Sequence, residues 1–203
     1  NMYVINTSEQ GNFSNVLKLV NFDQNDIPEN EIPFILEVME ILNNKSIEFQ
    51  DQENSVKITT DNVFSLILRH EKYPHFYSKS LQNEIEFVSS NFNEICDEKT
   101  EDLTKIKFDT LFSIINNSKL KLESEDQLLK FINKLYCRDV KYSILYETVY
   151  FVNVSSEAMG EFISHFDMND LTASVWNRLS DRLLEDVKNE AKVCAKERYK
   201  LSG

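Results

Sequence analysis

The chain has 203 residues, 41% hydrophobic and 28% charged, and its 34 acidic and 22 basic side chains leave a net charge of −12. Such a charge repels phosphate backbones and anionic lipid headgroups, so neither nucleic acid nor a membrane surface is an expected partner. With only 3 Gly and 3 Pro the turns of a strand-rich domain are lacking, whereas a chain this long buries roughly 70% of its unfolded surface without staples.

From the start of the chain, Met2-Tyr3-Val4-Ile5-Asn6 alternates weakly and predicts a short strand, closed by a turn over Thr7-Ser8-Glu9-Gln10-Gly11. Phe13, Val16, Leu17 and Val20 predict a two-turn helix. Pro28 suits a first helical position, and Glu29 and Glu31 fall in a positive first turn. A helix is therefore expected from there to Asn43, burying Ile32, Ile35, Leu36, Met39 and Leu42, with Pro33 early enough to be tolerated. After an acidic spacer over Ser46 to Lys57, Thr59 or Thr60 is the expected cap of a helix holding Val63, Phe64, Leu66, Ile67 and Leu68, stopped by Tyr73-Pro74. Leu81, Ile85, Val88, Phe92 and Ile95 then predict one long helix from Phe76 to Ile95, and a short helix is expected around Leu103 to Ile106.

From Phe108 to Phe162 the pattern is a run of short amphipathic helices, each too short to persist without neighbours. Phe108, Leu111, Phe112 and Ile115 share a face, and Asn116-Asn117-Ser118 ends that helix. Ser124 is the expected cap of the next, with Glu125 and Asp126 in its first turn and Leu128, Leu129, Ile132 and Leu135 as its buried stripe. Tyr142 to Tyr146 leads into Val149-Tyr150-Phe151-Val152, read as extended, and Ser155 or Ser156 caps a helix with Met159, Phe162 and Ile163 inward. A last helical stretch carries Leu171, Val175, Leu179 and Leu183 at four-residue steps with Trp176 beside them. Beyond it, Leu184 to Tyr199 is helix-prone but poor in large apolar residues.

The sequence offers little chemistry. His70, His75 and His165 lack a third ligand at a recognisable spacing, and Cys96, Cys137 and Cys194 are far apart without CxxC, which fits free thiols in a reducing compartment. No GxxxxGK[ST], GxGxxG, GxSxG or HExxH occurs, and Gly11, Gly160 and Gly203 cannot form a phosphate cradle. The expectation is a non-catalytic protein with no cofactor and no metal. No apolar run reaches about 18 residues and no basic-then-apolar leader opens the sequence, so a cytoplasmic or nuclear protein is expected.

The order Leu111…Ile114-Ile115…Leu120, Ser124-Glu125-Asp126-x-Leu128…Phe131-Ile132, Asp139-x-x-Tyr142-x-x-Leu145-x-x-x-Val149-x-Phe151, then Ser155…Met159…Phe162 resembles the BACK domain, the helical extension that follows a BTB domain in substrate adaptors of cullin-type ubiquitin ligases. Phe13-x-x-Val16-Leu17…Ile27-Pro28-Glu29-Asn30…Phe34…Leu42-x-Asn44 resembles the C-terminal half of a BTB domain, and Leu171…Trp176-x-x-Leu179…Arg182-Leu183 the end of a BACK-like region. The likeness is to the divergent BTB/BACK proteins of trichomonad protists, many of them joined to ankyrin repeats. After Phe131 the chain departs from animal BACK helices, with Asn133-Lys134-Leu135-Tyr136 where Trp and Arg are usual.

The resemblance implies an all-α protein, an array of short antiparallel helices with a little β near the N-terminus. Its parts would be a partial BTB-like domain over 1–57, a BACK-like domain over 58–185 and a helical tail over 186–203. It further implies an adaptor whose partner, a cullin, would meet the helices between Pro28 and Leu68, which makes Glu29, Phe34, Glu37 and Val63 candidate partner-binding residues. Trp176 joins them because Trp is enriched at binding hot spots. Lys188, Lys192 and Lys196 join them because, with Lys200, they line one helical face toward an acidic partner or another copy, the alternative being a solvated face. A structural scaffold or spacer in a larger assembly, such as a cytoskeletal one, is the alternative function, and a homo-oligomer is compatible with either.

Overall fold

A computed structural model of the chain describes residues 4–20, 27–44, 57–77 and 80–185. The fold is all-α: 69% of the described residues are helical, and there is no strand among them. Val4 to Asn6 is irregular rather than a strand, and Met2 and Tyr3 lie outside the described residues. Two compact units divide the chain, one up to Leu81 and one from Gln82.

In the first unit, α1 (Phe13–Val20) packs on α2 (Ile32–Ile41), and α3 (Val63–Lys72) comes next. Asn12 starts α1 by accepting from the Ser14 amide at 3.0 Å through Oδ1. Glu31 Oε2 accepts from Asn12 N and from Asn15 Nδ2, at 3.1 and 2.7 Å, which ties the start of α1 to the start of α2. Val16 and Leu19 enter the core with Ile35, Leu36, Met39 and Phe76. The apolar stripe expected on α1 therefore splits, because Phe13, Leu17 and Val20 stay exposed. The helix α2 ends as a Schellman turn: Asn44 N donates to Met39 O and Asn43 N to Glu40 O, with Asn43 at φ 50°, a conformation that Asn tolerates and branched residues do not. Leu42, expected inside, is the C-cap residue within that turn and is exposed. Neither Thr59 nor Thr60 caps α3. Asn62 closes the preceding turn instead, its Oδ1 accepting from Thr59 N at 2.8 Å.

The helix expected from Phe76 to Ile95 is not continuous: Phe76 ends a 3₁₀ turn, Pro74–Phe76, of the first unit, and the second unit begins with α4 (Gln82–Ser90) and α5 (Phe92–Glu98). The break has a local cause. Ser89 Oγ donates to Ile85 O and Ile114 O, and Asn91 Nδ2 donates to Phe87 O, so two polar side chains beside the break offer the backbone other partners. A four-residue α6 (Thr100–Leu103) lies a turn earlier than expected, and α7 (Phe108–Ile115) packs on α4.

The helix α8 (Glu125–Tyr136) is the axis of this unit. Ser124 caps it as the sequence predicts, its Oγ accepting from Gln127 N at 3.2 Å, and Leu128, Leu129, Ile132 and Leu135 are all buried. It packs against a nine-residue 3₁₀ segment, Val140–Thr148, and against α9 (Ser156–His165), whose cap is Ser155. Of the stretch read as extended before α9, Val149 is extended while Phe151–Asn153 form a 3₁₀ turn, on which α10 (Ala173–Glu185) packs.

Two substitutions test this packing. Ile132 is fully buried, so Ile132→Asp sets an unpaired charge in the core and should cost roughly 4 kcal/mol. The only tryptophan, Trp176, reports the second unit, so its fluorescence-detected urea transition should move to much lower denaturant. A Cβ on Gly11 would stand 2.4 Å from the Phe34 ring. Gly11→Ala should therefore lower the stability read by circular dichroism by about 1–3 kcal/mol, leaving the Trp176 transition in place.

Candidate functional site

The structure distributes the sequence-predicted binding residues unevenly. Phe34 and Val63 are core side chains, 8% and 0% exposed, and present no surface. The family likeness that singled them out does not say which face of each helix is inside. Glu37 is half-buried and already engaged: its Oε1 accepts from Ser8 N and Ser8 Oγ, both at 2.8 Å, and its Oε2 from Glu9 N at 2.9 Å. It latches the loop before α1 onto α2. Trp176 is 51% exposed. The side chain of Glu29, and Lys188, Lys192 and Lys196, lie outside the described residues.

The histidines have ordinary surroundings. His70 stacks on Tyr77 with ring centroids 5.0 Å apart, His75 is exposed, and His165 Nδ1 lies 2.7 Å from the Glu161 carbonyl. Burial pushes the Cys96 thiol up to about 12, with Asp97 adding to the shift, which disfavours the thiolate. Among the described residues no cluster of His, Cys, Asp and Glu could hold a metal ion, and no helix is long and apolar enough to cross a membrane.

What the fold does build is an apolar groove of about 420 Å³ in the second unit, between α9 and α10. One wall comes from Met159 and Ile163 on α9, the other from Trp176, Leu179 and Leu183 on α10, and Met168 and Leu171 close one end. Ile163, Met168 and Leu183 are 65, 71 and 67% exposed. Phe162 and Phe166 line the groove from beneath as part of a ring cluster. Their centroids are 4.8 Å apart, and Tyr146 stands edge-on to both at 5.0 and 5.3 Å. Tyr146 is fully buried, and its hydroxyl donates to Asn133 Oδ1 at 2.8 Å, so the one polar atom of the cluster is satisfied.

The groove carries a single charged lining residue, Arg182, and that charge is turned inward. Its Nη1 donates to Phe151 O at 2.6 Å and to Val154 O, fastening α10 to the turn before α9. Arg178 is spent on the Tyr150 ring, 4.4 Å from its centroid. Acidic groups flank Met168: Asp167 is exposed, and Asp170 accepts from Tyr136 Oη at 2.6 Å. Burial, aided by Asp170, raises the Tyr136 hydroxyl above its ordinary pKa, so it stays a donor there.

Sequence reasoning missed this groove because it placed Met159 and Ile163 inward on their helix and left the face of Leu183 open. Three- and four-residue spacing cannot tell a stripe that enters the core from one that stops at the surface. The available signal was local: Met168 stands between Asp167 and Asp170 in a stretch too polar to be core. No protein-family model matches the chain, nor does any curated protein or solved structure.

The Glu37 latch has a pH dependence of definite sign. Amide donation from Ser8 and Glu9 holds its carboxyl below the ordinary carboxylate range. The contribution is therefore complete above the unfolded-state pKa and lost as pH falls through the folded one. Amide exchange measured by NMR should show Ser8 and Glu9 losing protection as the solution is acidified through that range, and Glu37→Gln should show the loss at neutral pH.

Proposed function

We propose that the chain is a non-catalytic protein–protein interaction module, in its sharper form an adaptor of the BTB/BACK kind for a cullin-type ubiquitin ligase, working in the cytosol or nucleus. The observation that carries the reading is that each compact unit leaves an apolar surface unburied: Phe13, Leu17 and Val20 on α1, and the groove between α9 and α10. A protein that joins two others needs two such surfaces, and exposed apolar patches on folded chains mark interaction sites. The adaptor form rests on the BTB-like and BACK-like residue patterns, and on the agreement of the Ser124 and Ser155 caps and the α8 stripe with the helices those patterns imply.

A scaffold or spacer in a larger assembly, a cytoskeletal one included, is the second reading, and the same pair of surfaces favours it. What the chain captures separates the two. With the full chain as bait in lysate of its source cell, recovery of a cullin with its ligase subunits, abolished by Leu17→Asp, is the result the adaptor reading expects. Recovery of structural proteins alone, or an unaltered cullin signal in Leu17→Asp, would overturn it. Leu17 is 51% exposed, so the variant should keep the wild-type melting curve.

A further inference from the structure

The helices α9 and α10 form an antiparallel hairpin, since Arg182 near the end of α10 donates to Phe151 O and Val154 O just before α9. The ten residues of α9 give the groove between them a wall of about 15 Å. Its volume of about 420 Å³ falls among small-molecule sites, which span roughly 300–1,000 Å³, but its form does not suit a small ligand. Ile163, Met168 and Leu183 stand largely exposed at the rim, so the trough is open and would not enclose one. Arg182 is turned inward, which leaves the indole N–H of Trp176 as the one other polar side-chain group of the lining. An extended peptide would leave its backbone N–H and C=O groups unpaired there, for no strand edge exists among the described residues to receive them, whereas a helix satisfies its own.

Charge narrows the occupant further. Residues 156–185 carry six acidic side chains against two arginines and no lysine. Arg178 lies on the Tyr150 ring and Arg182 on two carbonyls, while Glu157, Glu161, Asp167 and Asp181 are exposed. A second copy meeting the first hairpin to hairpin would set these acids against one another.

We propose that the groove takes an amphipathic helix of another protein whose polar face is basic. Its apolar side chains, spaced i, i+3 or i+4 and i+7, enter between Met159–Ile163 and Trp176–Leu183, and a lysine or arginine meets Asp167 at the Met168 end. The inference rests on the reading of the groove as an interaction surface and adds the partner's chemistry to it.

Two synthetic peptides test it, each with leucine at i, i+3, i+4 and i+7 and without tryptophan, one carrying lysine and the other glutamate at the remaining positions. They are titrated into the full chain and followed by the emission of Trp176, its only tryptophan. The lysine peptide should bind saturably and shift the emission to shorter wavelength, the glutamate peptide should bind at least about tenfold more weakly, and added salt should weaken the first. Leu183→Asp should lower affinity for the lysine peptide at least about tenfold, although attraction between charges without a groove would make the added acid tighten binding. Leu183 is exposed, so the variant should melt as the wild type does; if it does not, Ile163→Asp on the facing wall supplies the same test. Asp167→Asn should weaken binding roughly two- to fivefold, and Leu17→Asp on α1 should leave it unchanged.

Emission that neither peptide shifts, equal binding of the two, or binding that Leu183→Asp leaves intact would overturn the inference. Oleate that shifts the emission at lower concentration than the lysine peptide would assign the groove to a small apolar molecule and overturn it too. So would a double mass in sedimentation velocity that Leu183→Asp returns to a single one, since a second copy would then fill the groove. Capture of a cullin by a chain that ignores the lysine peptide would sink this inference and leave the adaptor reading standing, and a chain that binds the peptide in the groove but captures no cullin would do the reverse.

Discussion

The second unit depends on one buried side chain, Tyr146. It lies in a 3₁₀ segment, which has little stability of its own, and it is held there by rings from three directions and by one hydrogen bond to Asn133 on α8. Burial raises its hydroxyl well above the usual tyrosine range, so the bond to Asn133 is that of a neutral donor at any physiological pH. Because Phe162 and Phe166 pack on Tyr146, they are fixed in place, and the side chains above them on α9 have no further depth to enter. Ile163 is left outside for that reason, and a groove with an apolar floor results.

The sequence made some of this legible and not the rest, and the division has a physical origin. Caps are local, since Ser124 and Ser155 need only an amide three residues ahead, and both stand where the polar-then-apolar pattern put them. The α8 stripe was also readable, because a helix surrounded by neighbours buries most of its apolar residues whatever their exact face. The division of the expected Phe76 to Ile95 helix was less so: the Ser89 hydroxyl reaches Ile114, 25 residues away, a partner that no local pattern announces. The same holds for Asn62, whose side chain takes the Thr59 amide and displaces the threonines from capping.

The candidate site was the least legible part. Phe34 and Val63 were drawn from a family likeness, and their burial depends on which neighbours the chain supplies rather than on spacing. Glu37 carried the charge expected of a surface contact, yet two backbone amides from the loop before α1 consume it. Trp176 came nearest, because a large amphipathic ring next to charged positions on a helix is as suited to a surface as to a core. The functional reading stands on exposed apolar area and on the pattern of residues in this chain.

Arg182 also bears on the kinetics of binding. By donating to two carbonyls of the turn before α9, its guanidinium holds one wall of the groove against the other through charge-assisted bonds that do not require an occupant. Among the described residues the groove is thus shaped beforehand by bonds within the protein. Encounter rather than rearrangement then sets the speed of association, so the rate rises in proportion to the concentration of the incoming partner without a plateau. Differences in affinity between occupants accordingly reside in how long each one stays.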